Sequence, residues 1–305
     1  MAHQAERVKL LRGIIDSNRP TREYLEAGRA AAQAFFLSLQ QRKELSVAEF
    51  RFAGSIAKGT SLNTSDFDLV VFLNNEKPPF SSAVIDVFHK GVQQARVDGG
   101  VIHFRGKNNM LVKASAHFRN LELDLDINIA PVLVRGVNSG QPQVSRAAVR
   151  MQETGSVSVH VTPQMLEAIR LAKYWAGKVN LHGTKIHGNS FIVELITLEA
   201  NRISEGEDLE EKFVKFLKTM QNLGEQKIIL TKEYSVEDIP ARLLFQRPLI
   251  MDPANCWDNL GEQFQPGQPA YYALTYYKQA ADLALAKIEG ARLGDAYYKN
   301  PANWF

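Results

Sequence analysis

The stretch "FAGSIAKGTSLNTSDFDLVVFL", residues 52–73, carries the strongest fold signal in the chain. It sets the pair Gly54 and Ser55 between two runs rich in Phe, Val and Leu, "FRFAG" and "DFDLVVFL", which are typical of β-strands. Asp66 and Asp68 are one residue apart on the second run, so strand alternation points both carboxylates to the same face. By itself this pattern fits either a hairpin-like surface feature or a phosphate-binding turn that faces a metal site.

A second acidic strand favours the metal site. The segment "LELDLDINIAPVLV" alternates strictly from Leu121 to Ile129, so Asp124 and Asp126 share one polar face. Carboxylates converging from two neighbouring strands supply the hard oxygen ligands that a pair of Mg²⁺ ions requires. The ordered combination of Gly-Ser turn, Asp-x-Asp strand and alternating acidic strand therefore predicts a metal site, with the third carboxylate on this strand.

The Gly-Ser turn predicts a binding place for phosphate. Gly54 and Ser55 precede a short predicted helix, and helix N-termini favour anions through their exposed N–H groups. Lys58 follows within one helical turn and adds a positive charge. We expect this turn to contact the triphosphate of a nucleotide.

The composition is that of a globular protein in a reducing compartment. The 305 residues carry a net charge of +3, which permits a polyanionic partner without demanding one. Cys256 is the single cysteine, which excludes an internal disulfide and a multi-cysteine zinc cluster. The sequence shows no apolar stretch approaching 18 residues and no signal peptide at its start. These features predict a cytoplasmic protein that does not cross a membrane.

The pattern along the chain predicts two lobes. Helical periodicity covers most of residues 5–44 with an interruption at Pro20, and strands then alternate with a helix as far as residue 134. Past a loop-like region the periodicity is helical, beginning with the Thr162-Pro163 pair, which is typical of a helix start. We expect an α+β fold with an N-terminal helix and sheet core in residues 1–155 and a helical lobe in residues 156–305.

Several motifs together resemble a known family. "GSIAKGTSLNTSDFDLVVFL" resembles the signature of the polymerase-β-like nucleotidyltransferases, and more closely that of the 2′-5′-oligoadenylate synthetase and cGAS-like branch. "AIRLAKYWAGK", "FIVELITLEA" and "FQRPLIMDPANCWDNLG" resemble later segments of the synthetases, in the same order. The resemblance spans roughly residues 50–262. It implies a polymerase-β-like core with a mixed sheet and helices, followed by a synthetase-like helical lobe.

The resemblance assigns roles to individual residues. Asp66, Asp68 and Asp126 match the catalytic, metal-binding carboxylates, and Asp126 is preferred to Asp124 because "DINIA" fits the family pattern. The matched nucleotide-binding positions are Gly54, Ser55, Lys58, Arg170, Lys173, Ser190 and Phe191. The last two stand where vertebrate synthetases carry a Gln-Tyr pair: Phe191 can still stack on a base, but Ser190 cannot replace a glutamine amide.

The activity implied by the resemblance is nucleotidyl transfer. ATP or another NTP would be the donor, two Mg²⁺ ions (or Mn²⁺) the cofactors, and 2′-5′-linked oligoadenylate, a second messenger of antiviral innate immunity, the product. Double-stranded RNA is the implied activator. Basic candidates to contact it are Arg7, Lys9, Arg12, Arg19, Lys58, Lys178 and Lys185. A cyclic dinucleotide synthase and an inactive nucleic-acid-binding scaffold stay open as alternatives, with a template-independent RNA-tailing enzyme as a third. The oligomeric state is also open.

Overall fold

The computed structural model divides the chain into two compact units, which we describe separately. One unit joins residues 1–18 to residues 159–305, and the other comprises residues 19–158. The predicted boundary at residues 155 and 156 lies outside the described part of the chain. The structure describes residues 2–63, 65–74, 81–107, 111–118, 120–131, 161–181, 184–185, 190–203, 206–230, 234–253 and 255–305.

A mixed five-stranded sheet forms the centre of the unit built from residues 19–158. Its strands are β1 (Val47–Phe52), β2 (Phe67–Leu73), β3 (Gly100–Lys107), β4 (Leu111–Phe118) and β5 (Leu121–Pro131). They lie in the order β1-β2-β5-β4-β3, and only the β2–β5 pair is parallel. The helices are α2 (Arg22–Gln40), α3 (Gly54–Lys58) and α4 (Ser82–Gln94). The mixed sheet with helices confirms the predicted α+β class.

Helix α2 packs closely on strand β2, which carries Asp68. A Cβ atom at Gly28 would overlap the ring of Phe67, with Phe67 Cε2 at 2.5 Å, so this position admits only glycine without a rearrangement. The Tyr24 and Phe67 rings also meet, with their centroids 5.3 Å apart. Phe67 is fully buried in this core together with Leu69. Burial of these alternate residues turns Asp68 to the opposite face of β2.

The other unit is mainly helical. Its elements are α1 (Ala2–Ser17), α5 (Pro163–Lys178), α6 (Ser190–Ala200), α7 (Leu209–Gln221), α8 (Ala241–Leu244) and α9 (Ala273–Arg292), with short strands β6 (Asn180–Leu181), β7 (Thr184–Lys185), β8 (Lys227–Ile228), β9 (Leu249–Asp252) and β10 (Asn255–Asn259). Trp175, Phe213 and Phe216 lie in its apolar core. In the described part of this unit no sheet has more than three strands.

Helix α1 packs in this helical unit, whereas the sequence-based division grouped it with the sheet core. Its apolar residues Leu11 and Ile15 are buried in the same core as Trp175. Arg7, also buried, donates from Nε to Glu210 Oε2 at 2.7 Å, and Arg292 donates to the other oxygen of Glu210 at 3.0 Å. The amphipathic helix therefore finds its apolar partner more than 150 residues away in the sequence. Among the described residues, no helix combines the length and apolarity needed to span a bilayer.

Candidate active site

The parallel strand pair brings two of the predicted carboxylates side by side. In the β2–β5 register, the Cα of Asp68 is paired with the Cα of Asp126. Both side chains are partly exposed, on the polar face opposite Phe67 and Leu69. Asp124 lies two residues before Asp126 on the same face, where its strand partner is Ser115. The register therefore favours Asp126 over Asp124 as the neighbour of Asp68.

Asp66 directly precedes β2 rather than lying within it, and it belongs to the same electrostatic cluster. Desolvation raises the pKa of the Asp66 carboxyl, and the negative charges of Asp126 and then Asp124 raise this pKa further. Lys113 acts in the opposite direction on the Asp66 pKa. The order of the acidic neighbours indicates that Asp66 interacts more strongly with Asp126 than with Asp124.

A tyrosine holds the loop in front of Asp66. Tyr24 on α2 donates a hydrogen bond from its hydroxyl to the Ser65 carbonyl oxygen at 2.9 Å. Desolvation, followed by the charges of Asp66 and Asp124, raises the pKa of Tyr24 to about 12. The phenol is therefore neutral at physiological pH and serves as a donor that fixes the backbone next to Asp66.

Lys113 on β4 is a contact that sequence reasoning missed. Its Cα is paired with that of Asp126, and its Nζ lies 2.9 Å from Asp126 Oδ2. The hydrogen bond to Asp126 is the largest contribution that raises the pKa of Lys113, and Asp66 and Asp124 act in the same direction. The signal in the sequence was Lys113 itself, a polar residue in the otherwise apolar start of "LVKASAHF". Only the antiparallel register of β4 with β5 places it beside the acidic face, the side of the sheet that carries Asp68, Asp124 and Asp126.

The Gly-Ser turn lies directly against Asp68. Gly54 has φ of +57°, and a Cβ built there would overlap Asp68 Oδ2 and stand 2.6 Å from Asp68 Cγ. The following helix α3 ends at Lys58, and Gly59 adopts φ of +70°. Ser55 is buried, whereas Lys58 is partly exposed. The turn and the acidic strand thus form one continuous site, in which glycine is required at residue 54.

The residues present fit a divalent hard cation by donor type and by strand register. Asp66, Asp68 and Asp126 provide only carboxylate oxygens, which Mg²⁺ and Mn²⁺ prefer. Within the described ranges, no three side chains of His, Cys, Asp and Glu already form a group that could hold a metal ion. The fit therefore rests on the chemistry of the donors and on the adjacency of Asp68 and Asp126.

The predicted nucleotide contacts of the helical unit differ in their burial. Lys173 on α5 is buried and lies 2.5 Å from the carboxylate of Glu194 on α6, which is equally buried. Arg170 is partly exposed one turn earlier on α5. At the start of α6, Ser190 is exposed and Phe191 packs partly against the unit's core. Lys173 thus has a structural partner that the sequence-based interpretation did not include.

The basic residues considered for RNA binding differ in their accessibility. Arg7 is buried and bonded to Glu210, so it is unsuited to contact phosphate, contrary to the sequence-based expectation. Arg12 is exposed but pairs with Glu167 at 3.2 Å. Lys178 lies over the Tyr174 ring, 5.4 Å from its centroid. Lys9 and Arg19 are exposed, Lys58 is partly exposed, and the side chain of Lys185 lies outside the described part of the chain.

Comparison with known proteins agrees with this geometry. Residues 35–106 match a family model described as nucleotidyltransferase domain. Residues 149–278 match a second model, described as 2′-5′-oligoadenylate synthetase 1, domain 2, C-terminus. The mouse protein 2′-5′-oligoadenylate synthase 3 is 26% identical in an alignment that covers 82% of this chain. The chain spans only 26% of the length of that relative.

Solved structures share the fold at low sequence identity. CdnC of E. coli, in its complex with HORMA-deltaN, is 18% identical, with a TM-score of 0.68 over 97% of this chain and 95% of that chain. A mutant of the Cid1 poly(U) polymerase bound to MgATP is 15% identical, with a TM-score of 0.66 over 96% of this chain and 97% of that chain. These likenesses support the polymerase-β-like fold.

The mixed sheet, the Gly-Ser turn against an acidic strand and the matching domain model together indicate a nucleotidyltransferase domain. The second family model and the mouse relative narrow this class. Both indicate similarity to nucleotidyltransferases of the oligoadenylate synthetase and cGAS-like type.

Proposed function

We propose that this protein transfers a nucleotidyl group from ATP to a ribose hydroxyl of a second nucleotide and thereby makes 2′-5′-linked oligoadenylate. The observation that carries the proposal is the strand register that pairs Asp68 with Asp126 while Gly54 packs on the Asp68 carboxylate. Transfer of a nucleotidyl group needs carboxylates beside a place for the triphosphate, and this arrangement supplies both. The synthetase-type domain match over residues 149–278 supports the 2′-5′ linkage.

Asp66, Asp68 and Asp126 would bind the divalent metal, and two-metal chemistry at this site would use two ions. When bound, Mg²⁺ or Mn²⁺ would stabilise the negative charge that develops on the transferred phosphoryl group and the pyrophosphate. The protein's own task is positioning. The buried Phe67 and Leu69 anchor the strand that bears Asp68, and Asp126 is the candidate to orient or deprotonate the acceptor hydroxyl.

The family motifs assign the contacts that would bind the nucleotide. Gly54 and Ser55 would present backbone N–H groups to the triphosphate, and Lys58 would add a positive charge. In the helical unit, Arg170 and Lys173 would contact phosphates, while Ser190 and Phe191 would select the base. Because Lys173 is neutralised by Glu194, its contribution would be fixed in place by that ion pair rather than freely mobile.

Double-stranded RNA is the proposed activator, and the cytoplasm is the proposed location. The exposed Lys9 and Arg19 are the better candidates for phosphate contacts, since Arg7 is engaged inside the protein. A cyclic dinucleotide is the alternative product, favoured by Ser190 and Phe191 replacing the Gln-Tyr pair of vertebrate synthetases. An inactive scaffold is less consistent with the site, because three carboxylates kept together carry an electrostatic cost.

Product analysis tests the proposal directly. Purified protein would be incubated with Mg²⁺ and radiolabelled NTPs, with and without double-stranded RNA. We expect pyrophosphate release and oligomers that resist nucleases specific for 3′-5′ linkages. A single product without free ends would identify a cyclic dinucleotide synthase instead. If no nucleotide or RNA elicits pyrophosphate release, the enzymatic proposal fails.

Two double variants separate the site from general charge effects. Asp66→Asn with Asp68→Asn should abolish turnover, because it removes two of the carboxylates proposed to bind metal. Asp86→Asn with Asp98→Asn removes the same charge from exposed positions of the same unit and should leave turnover close to wild type. If the first double variant stays active, the assignment of the carboxylates is wrong.

A further inference from the structure

Lys113 provides an internal cation for the acidic face. Its strand partner is Asp126, and its Nζ lies 2.9 Å from Asp126 Oδ2. The Lys113 side chain is 53% exposed and that of Asp126 only 20%, so the lysine has solvent into which it can move. Lys113 therefore engages one of the two carboxylate oxygens that Asp126 could offer to a metal ion.

The neighbouring charges give this contact a reason. Asp68 is the strand partner of Asp126, and the charges of Asp126, Asp66 and Asp124 all raise the pKa of Lys113, so negative charge is concentrated on this face. Like charges held together repel one another, and a cation beside them relieves the repulsion. A divalent cation bound by the same carboxylates would relieve it more strongly, because it carries twice the charge of the ammonium. The two cations then compete for Asp126.

We propose that Lys113 is the resident counter-cation of the acidic face and that a divalent metal ion displaces it from Asp126 on binding. The inference rests on the proposed metal-dependent function and concerns the step before nucleotide chemistry. Lys113 is a positioning residue in this scheme: its ion pair holds the Asp126 carboxylate in place before a metal binds, and its long side chain would swing away on metal binding. Lys113 would thus set the metal concentration at which the site fills.

Mn²⁺ binding by isothermal titration calorimetry tests the exchange without requiring turnover. Lys113→Met removes the competing ammonium, so we expect the Mn²⁺ dissociation constant to fall about two- to fivefold, the range set by a half-exposed ion pair. Lys107→Met is the matched control, since Lys107 is similarly exposed and pairs with Asp86 away from the acidic face. That variant should bind Mn²⁺ as wild type does. Lys113→Arg keeps the charge and should also resemble wild type.

Unchanged or weaker Mn²⁺ binding by Lys113→Met would overturn the exchange. Weaker binding would mean that Lys113 orients Asp126 as a metal ligand. If Lys113→Met does not fold, lysine labelled with ¹³C at Cε provides the test in the wild-type protein. Addition of Mg²⁺ should then shift the Lys113 signal along the binding isotherm and leave that of Lys107 unchanged. A Lys113 signal that does not respond while Mg²⁺ binds would refute the proposal.

The same experiments distinguish failure of this inference from failure of the proposed function. If wild-type protein binds no Mn²⁺ and Mg²⁺ supports no pyrophosphate release, the metal-dependent function fails and the exchange falls with it. If wild type binds metal and turns over, but Lys113→Met binds Mn²⁺ with unchanged affinity, only the exchange is wrong.

Discussion

Gly54→Ala offers the sharpest test of how the turn and the acidic strand are joined. An alanine Cβ at residue 54 would overlap Asp68 Oδ2, and the φ of +57° is unfavourable for any residue with a side chain. Gly59 has a similar φ of +70°, but a Cβ there would meet nothing within 4 Å. Gly59→Ala therefore reproduces the backbone strain without the collision and serves as the matched control.

The expected effects follow from the backbone strain at positive φ and from the steric overlap with Asp68. Left-handed backbone costs alanine roughly 1–2 kcal/mol, which we expect in both variants. Gly54→Ala must also push the Asp68 side chain out of its rotamer, at about 0.5–1.5 kcal/mol. For a domain of this size, that difference lowers the melting temperature by roughly another 1–6 °C. A displacement of the carboxylate on the order of 1 Å should reduce turnover about 100-fold, whereas Gly59→Ala should stay within about tenfold of wild type.

Circular dichroism melting and pyrophosphate release, measured on both variants in parallel, decide the matter. The difference between Gly54→Ala and Gly59→Ala isolates the contact with Asp68, because the backbone term cancels. Equal melting temperatures and equal activities in the two variants would show that the Asp68 carboxylate does not depend on the open space at residue 54. The turn would then not be part of the site that positions Asp68.

Three further predictions concern stability and titration. Glu210→Gln should lower the unfolding free energy by about 3–5 kcal/mol in urea denaturation, since it breaks a buried ion pair. Glu26→Gln, which breaks an exposed ion pair, should leave the urea midpoint close to that of the wild type. Lys173→Met should destabilise the protein, because it leaves Glu194 without its ion-pair partner. The double variant Lys173→Met with Glu194→Leu should regain the wild-type melting temperature. If the double variant also regains turnover, Lys173 does not contact the nucleotide. Because the pKa of Tyr24 is raised to about 12, the folded state keeps a proton that the unfolded state loses near pH 10, so stability should fall between about pH 10 and 12. The spectrophotometric titration of the wild type, after subtraction of that of Tyr24→Phe, should show a phenol that loses its proton near pH 12. A midpoint near 10 would contradict the burial of Tyr24.

The acidic face was predictable because strand alternation is a local property. In "LELDLDINIA" every second residue is apolar, so the sequence alone places Asp124 and Asp126 on one side of a half-buried strand. The same argument applies to Asp68 between Phe67 and Leu69. The fold class was also predictable, because the family motifs carry it and the described strands and helices agree.

Contacts between distant segments were not predictable from local patterns. The pairing of Asp68 with Asp126 joins strands more than 50 residues apart, and their parallel register depends on the whole sheet. Lys113 is an ordinary strand lysine until β4 is aligned with β5. Arg7 looked like a surface residue of a basic helix, yet the burial of Glu210 on another helix decides its partner. These contacts depend on tertiary packing, which sequence periodicity does not encode.

The position of Asp68 is coupled to the stability of the sheet through its two neighbours. Phe67 and Leu69 are buried, and Gly28 lets α2 approach the Phe67 ring closely. A slip of β2 by one residue would bury Asp68 and move Phe67 and Leu69 to the face on which Asp68 is partly exposed, because alternate residues of a strand face opposite sides. Burying an unpaired carboxylate and exposing a phenylalanine both oppose the slip. The packing that stabilises the core therefore also determines which face the carboxylate presents, so substitutions at Gly28 should disturb the site even though that residue lies on the other side of the strand.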